Sequence, residues 1–315
     1  MSSSFELFKQ QIDGAVALIE QTDTAELNDT NIPATFEGLV DTHSLLARCE
    51  AVCKEYKEEK PTIRVIHHFA CSGGTLVSKC LSAIPNVFLL SEVHPLSKNH
   101  ASGKPKYLPS DITTLARYAG VPSIEELASK LFTENIITTH DFIESRGGVL
   151  ILREHTHIDY CIGTEVVNNP VVENILSPYF DLKHVVTVRN PIDSYMSLVK
   201  AGWVQFLPAT FDEYCKRFLA FISHYPEKSI FKYEDFVEKP DKQLKKICHC
   251  LELEFDEEYL DIFDIFSVTG DSGRKSSDIA KRERYTLDVN FLSEIEHSEN
   301  FKKILKKLKY EKDFE

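Results

Sequence analysis

The chain has 315 residues, 43% of them apolar and 27% charged. That is enough to bury a sizeable core, as one large α/β domain or one domain with a small appendage, and it excludes a disordered chain. The formal net charge of −13 argues against a general nucleic-acid or membrane-surface binder, so any anionic ligand has to be held by a local basic pocket.

Residues 1–60 read as a helical accessory segment. Phe5, Phe8, Ile12 and Val16 recur at three- and four-residue intervals, a polar linker follows, and a second helix runs through Leu45 and Leu46 to the charged "KEYKEEK". The first residues lack a basic n-region and no stretch approaches a membrane span. With that start, the eight scattered cysteines read as reduced thiols of a cytoplasmic protein. The pairs Cys49/Cys53 and Cys248/Cys250 lack zinc-like spacing and read as helix thiols.

Residues 61–315 read as the main α/β domain. "TIRVIHHFA" is a strand, "TLVSKCLSAI" a helix and "NVFLLSE" a strand. An insertion around residues 96–147 pairs the Gly/Pro-rich loop "KNHASGKPKYLPSD" with the helix "SIEELASKLFTENIITTHDFIES". Such insertions serve as lids, as acceptor-binding elements or as plain decoration. "GGVLILREH" and "KHVVTVRN" are further strands, and "SIFKYEDF" is a strand running into the helix of "KPDKQLKKICHCLEL". The loop "TGDSGRKSSD", the basic patch "KRERY" and a lysine-rich helix close the chain. Short apolar strands alternating with helices imply an open parallel β-sheet flanked by helices, with ligands at the carboxyl ends of the strands.

Two strand ends carry the chemistry. In "HHFACSGGTLVSKC" a strand delivers Cys71, Ser72, Gly73, Gly74, Thr75 and Leu76 to the first turn of a helix, where free amides and the helix dipole favour an anion. No Gly-Lys followed by Ser or Thr is present, which disfavours a Mg-triphosphate loop; alone, the segment also reads as a tight turn. In "VVTVRNPIDSYMSL" a strand ends at Arg189, Asn190 suits a helix N-cap, Pro191 suits the first helical position, and Ser197 lies eight residues after the arginine.

Together these segments resemble the sulfotransferases that use 3′-phosphoadenosine 5′-phosphosulfate (PAPS). Their 5′-phosphosulfate loop reads Lys/Arg-Ser-Gly-Thr-Thr, and their 3′-phosphate motif sets a serine eight positions after an arginine. The resemblance implies a P-loop nucleoside triphosphate hydrolase-like three-layer α/β/α fold and transfer of a sulfuryl group from PAPS to a hydroxyl or amine, with no metal required. Residues 71–76 would surround the 5′-phosphosulfate, and Arg189 with Ser197 would hold the 3′-phosphate, the guanidinium by two parallel hydrogen bonds. "FKYEDF" is similar to the family's Tyr-Glu-Asp strand end and brings Tyr233 near the nucleotide or into the core. "TGDSGRKSSD" resembles the late loop over the 3′-phosphate and assigns Ser272, Gly273, Arg274 and Lys275 to it.

Glu92, at the end of "NVFLLSEV", matches the layout in which a glutamate is the general base, as in protein-tyrosine sulfotransferases; partial burial is expected to raise its pKa. His94 is a weaker candidate. The departure is Cys71, where the family has lysine or arginine. Lys79, one turn beyond Thr75, and Arg153, at the end of "VLILREH", are the cations that could replace it. His155, His157 and Asp159 read as acceptor-site lining or satisfied core groups rather than as a metal cluster. The competing readings are an ATP-dependent small-molecule or nucleotide kinase and a non-catalytic module that binds the desulfated cofactor. The acceptor is open among small alcohol, carbohydrate, lipid and peptide.

Overall fold

A computed structural model describes residues 13–14, 60–97, 108–167, 169–270 and 279–311. The chain divides into two units, Met1–Glu59 and Lys60–Glu315, and every element named here lies in the second. Its strands are β1 (Thr62–His68), β2 (Val87–Val93), β3 (Val149–Glu154), β4 (Ile162–Gly163), β5 (Asp181–Val188), β6 (Gln205–Phe206) and β7 (Ile230–Lys232). The helices between them are α1 (Gly74–Ser82), α2 (Ile112–Tyr118), α3 (Ile124–Glu144), α4 (His157–Tyr160), α5 (Val171–Leu176), α6 (Pro191–Lys200), α7 (Phe211–Ser223), α8 (Tyr233–Glu238) and α9 (Pro240–Cys250).

Five strands form one sheet in the order β2-β3-β1-β5-β7, and every pairing is parallel. β1 and β5 run in register from Thr62 opposite Asp181 to His68 opposite Thr187. This is the open parallel sheet flanked by helices that the alternating pattern predicts. From β1 the chain leaves toward the β2 edge, and from β5 it leaves toward the β7 edge. The carboxyl ends of β1 and β5 therefore border the switch point where open α/β sheets bind ligands.

Buried strands with both faces covered need nearly continuous apolar runs, which "VVTV" and "VLIL" supply. On one face Ile66, Ile151 and Val185 pack with Val77 and Leu81 of α1 and Leu244 and Ile247 of α9. On the other, Phe69, Val186 and Val188 meet Tyr214, Phe218 and Phe221 of α7, while Ile63, Val65 and Leu152 meet Ile136 of α3 and Leu176 of α5. The helical part of the 96–147 segment is thus packed on the sheet, where His140 of α3 lies 3.1 Å from the Thr62 carbonyl oxygen.

Because neighbouring strand residues face opposite ways, His67 and His68 are divided between the two faces. His67 is wholly buried, with Nδ1 2.5 Å from Glu154 Oε2 and 3.0 Å from the Tyr225 hydroxyl, and with Nε2 2.9 Å from His184 Nδ1. Burial pushes His67 down to about 3 and pushes Glu154 up to about 8. Around neutrality both are uncharged. The protonated Glu154 then donates to His67 Nδ1, and His67 Nε2–H donates to His184.

Candidate active site

From His68 the chain turns through Phe69–Gly73 into α1. Cys71 and Gly73 take left-handed backbone conformations, at φ 62° and 85°. A Cβ on Gly73 would lie 2.4 Å from the Tyr233 ring, and one on Gly74 would lie 2.7 Å from His68, so the loop is pressed between these side chains as only glycine allows. Leu76 N donates to the Gly73 carbonyl oxygen at 3.0 Å, α1 has no side-chain cap, and the first-turn amides of Gly74 and Thr75 have no intrahelical acceptor. The Ser72 hydroxyl turns away from them. It donates to the Thr187 carbonyl oxygen at 2.9 Å and ties the loop to β5.

At the end of β5, Asn190 Oδ1 accepts from the Ile192 amide at 3.0 Å and Pro191 opens α6, as the sequence predicts. The eight-residue spacing brings Arg189 Nη1 to 3.4 Å from Ser197 Oγ, and that hydroxyl donates to the Asp193 carbonyl oxygen at 2.8 Å. The Arg189 guanidinium stands 5.2 Å from the centre of the Tyr233 ring. Arg189 is only 4% exposed, yet no carboxylate pairs with it among the described residues. A buried, unpaired guanidinium is costly unless an anion completes its surroundings. Tyr233 opens α8 rather than ending the strand, and its hydroxyl donates to the Ala280 carbonyl oxygen at 3.4 Å.

Glu92 lies within β2 at φ 61°, where the pairing with β3 shifts register between Ser91 and Val93. Its Oε1 is 2.8 Å from Arg153 Nη2 and 3.4 Å from His68 Nε2, and its Oε2 accepts from His155 Nδ1. The expected rise in its pKa does not occur. Burial acts in that direction, but His68, the His155 hydrogen bond and Arg153 outweigh it and hold the carboxyl well below the ordinary carboxylate range. His68 is itself pushed down to about 4 by burial, so at neutral pH Arg153 and His155 do the holding. Arg153 also donates to Thr75 Oγ1 at 3.1 Å and to Ser91 Oγ and the Thr269 carbonyl oxygen, each at 3.0 Å. A Cβ on Gly270 would strike Glu92 Oε1 at 2.4 Å, so the 269–270 turn is stapled over this carboxylate.

A cavity of about 870 Å³ joins these parts. Cys71, Ser72, Gly73, Gly74, Thr75, Leu76, Lys79, Glu92, Arg189, Ser197 and Tyr233 all line it, as do Arg153, His155 and His157. Ser272, Gly273, Arg274 and Lys275 lie outside the described residues. Two cations of the lining, Lys200 and Arg282, were not singled out from the sequence. Lys200 follows Ser197 by three positions on α6, a helical spacing that marks it. Arg282 belongs to the "KRERY" patch and is far from the loop along the chain, so only folding brings it there.

The sulfotransferase family model matches residues 66–257, more than half of the chain. The chain belongs to the sulfotransferase family. Solved structures similar to this sulfotransferase include a sulfotransferase domain from the curacin biosynthetic pathway, 18% identical, covering 81% of this chain and 99% of that one at a TM-score of 0.48. A second is the sulfotransferase domain of the Synechococcus PCC 7002 olefin synthase, 16% identical, covering 76% and 95% at a TM-score of 0.44. A sulfotransferase from Alicyclobacillus acidocaldarius is 12% identical, covering 78% and 96% at 0.38. No curated protein matches the chain.

Within the sulfotransferase site, Asp159 is separate from His155 and His157. It meets His94 Nε2 at 3.1 Å and accepts from the Val171 amide at 3.3 Å, while the Leu96 amide donates to His94 Nδ1 at 3.1 Å. Both nitrogens of His94 are therefore used structurally. Burial pushes His157 down to about 4, so it is a neutral ring in the cavity wall. Burial also pushes the Cys71 thiol up to about 11, against the charges of Arg189 and Arg282, so the residue is a small uncharged thiol rather than a reactive thiolate. No helix among the described residues is long and apolar enough to cross a membrane.

Proposed function

We propose that the protein transfers a sulfuryl group from PAPS to a hydroxyl or amine acceptor. The observation that carries this reading is Arg189, a buried guanidinium with no carboxylate partner among the described residues, 3.4 Å from Ser197 Oγ and in the same cavity as a phosphate loop whose first-turn amides have no intrahelical acceptor. Two anion-ready positions at neighbouring strand ends suit a donor charged at both its 3′- and 5′-positions. The donor supplies the sulfuryl group, and its release breaks the bond between sulfur and the 5′-phosphate oxygen as one forms to the acceptor. The amides of Gly74 and Thr75 hold the 5′ end, and Arg189 and Ser197 the 3′-phosphate, with Tyr233 beneath the guanidinium. Such chemistry asks the protein mainly for positioning and for stabilisation of charge.

The acceptor's proton goes to the Glu92–His155 pair. Glu92, kept ionised by Arg153 and His155, is too weak a base to take the proton alone. It accepts from His155 Nδ1, which orients the imidazole toward the cavity. Residues 1–60 act as an accessory segment and residues 61–315 as the catalytic domain. The free cysteines of the described residues, most of them buried, support a cytoplasmic setting.

Thermal-shift titration tests the reading, since a ligand that binds only the folded state raises Tm. Adenosine 3′,5′-bisphosphate, the desulfated product, is expected to stabilise the protein with or without Mg²⁺, and ATP to do little. Stabilisation by Mg-ATP alone would overturn the assignment in favour of a kinase.

A further inference from the structure

The loop position that carries a cation in the matching family motif is Cys71 here, an uncharged thiol. The two cations read from the sequence as replacements are unequal to the task. Arg153 is already committed to Glu92 at 2.8 Å and to Thr75, Ser91 and Thr269, so its charge is largely cancelled where it sits. Lys79 is in the last turn of α1, not in the first turn that carries the open amides.

Arg282 is differently placed. The segment around it is tied down on both sides: the Ala280 carbonyl accepts from the Tyr233 hydroxyl at 3.4 Å, Arg284 Nε is 3.6 Å from Asp193 Oδ2, and the Tyr285 ring lies 5.2 Å from Lys200 Nζ. These anchors bind it to the Tyr233 ring that underlies Arg189 and to α6. Arg282 itself has no ion pair or hydrogen bond among the described residues, and it lines the same cavity as Cys71. Its charge reaches the Cys71 sulfur, where it acts together with that of Arg189.

Resting on the donor assigned above, we propose that Arg282, from a distant part of the same chain, supplies the cation missing from position 71, binding the 5′-phosphosulfate and stabilising the negative charge that the 5′-phosphate oxygen gains as its bond to sulfur breaks. The electron pair of that bond stays on the phosphate, the acceptor oxygen or nitrogen bonds to sulfur, and the acceptor's proton leaves through His155. Arg189 then remains dedicated to the 3′-phosphate.

Calorimetric titration of the full chain with two ligands separates these roles. Adenosine 3′,5′-bisphosphate carries both phosphates, and adenosine 3′-monophosphate only the one assigned to Arg189. Arg282→Ala is expected to weaken the bisphosphate by about tenfold or more, the scale of one charge-assisted contact, and to leave the monophosphate within about twofold. Arg189→Ala is expected to weaken both. Adding Cys71→Lys to Arg282→Ala is expected to restore bisphosphate affinity, a rescue that a purely structural arginine would not show. Unchanged bisphosphate affinity in Arg282→Ala, or equal losses for both ligands, overturns the role of Arg282 while leaving the donor assignment standing. If the unaltered protein binds neither ligand, the donor assignment falls and this role falls with it. Should the double variant fail to fold, the two-ligand comparison on Arg282→Ala still decides.

Discussion

Replacing Glu154 by glutamine should remove, relative to the parent, a loss of stability that grows between pH 6.5 and 8. The carboxyl is 1% exposed and its Oε2 faces His67 Nδ1 at 2.5 Å. Burial first, and the charge of Asp159 second, push it from 4.5 up to about 8. The folded state therefore keeps a proton that the unfolded chain releases near 4.5. The stability this group contributes is whole below pH 4.5 and is lost as pH rises to about 8. Each pH unit of that interval is worth about 1.4 kcal/mol, so roughly 2 kcal/mol disappears between pH 6.5 and 8. The buried histidines act in the opposite sense at the acid edge of the window, equally in parent and variant, so the difference between the two proteins isolates Glu154. His67, His68, His157 and His184 are pushed down, each to about 3 or 4, so stability rises as the unfolded histidines lose their protons around pH 6.5, and all four are neutral in both states near pH 8. The buried thiols, raised from 9, act only at higher pH. Glutamine keeps the shape and an N–H donor for His67, and it does not titrate. Urea unfolding followed by circular dichroism at half-unit pH steps gives the comparison. A variant whose stability changes across this window just as the parent's does would refute a protonated Glu154.

Arg189→Ala should weaken adenosine 3′,5′-bisphosphate by about 10- to 100-fold, with Arg189→Lys intermediate because an ammonium lacks the planar fork, as measured by calorimetry. Glu92→Gln and His155→Ala should each lower turnover by about 100-fold or more while leaving bisphosphate affinity within about twofold, which single-turnover assays and titration check separately. Because Glu92 stays ionised far below pH 4.5, the acid limb of the rate profile should show no inflection near that value. Cys71, with its thiol pushed up to about 11, should react slowly with iodoacetamide at pH 8 and about tenfold faster for each unit above it; peptide mass mapping would reveal fast labelling at pH 8 and contradict that protonation state.

What the sequence made legible followed from local rules. The strand-loop-helix signature of residues 62–82 and the cap pair Asn190–Pro191 depend on neighbours a few positions away, and both fold as their residue types dictate. The spacing of Arg189 and Ser197 is likewise a helix-turn relation that survives folding. The protonation of Glu92 was not legible, because His68, Arg153 and His155 come from two other strand ends and reverse the effect that burial alone would have. Nor was the Glu154–His67–His184 chain, since its members come from three different strands, β3, β1 and β5. Arg282 reaches the site through anchors on Asp193, Lys200 and Tyr233, contacts that no periodicity announces.

The arrangement also accounts for how a chain of net charge −13 can hold a polyanion. Lys79, Arg153, Arg189, Lys200 and Arg282 line one cavity that, among the described residues, contains only Glu92 and Asp264 as carboxylates, and Glu92 is paired with Arg153. Positive potential is concentrated in a concave, low-dielectric space, where field lines focus, while the remaining surface is net acidic and repels beyond about one screening length of roughly 8 Å. A polymer such as nucleic acid needs a basic track and meets repulsion on either side of so small a patch. A compact ligand with its charges at two ends fits between the strand ends without touching the acidic exterior. The acidic composition and the anion site are therefore compatible, and the first narrows what the second can accept.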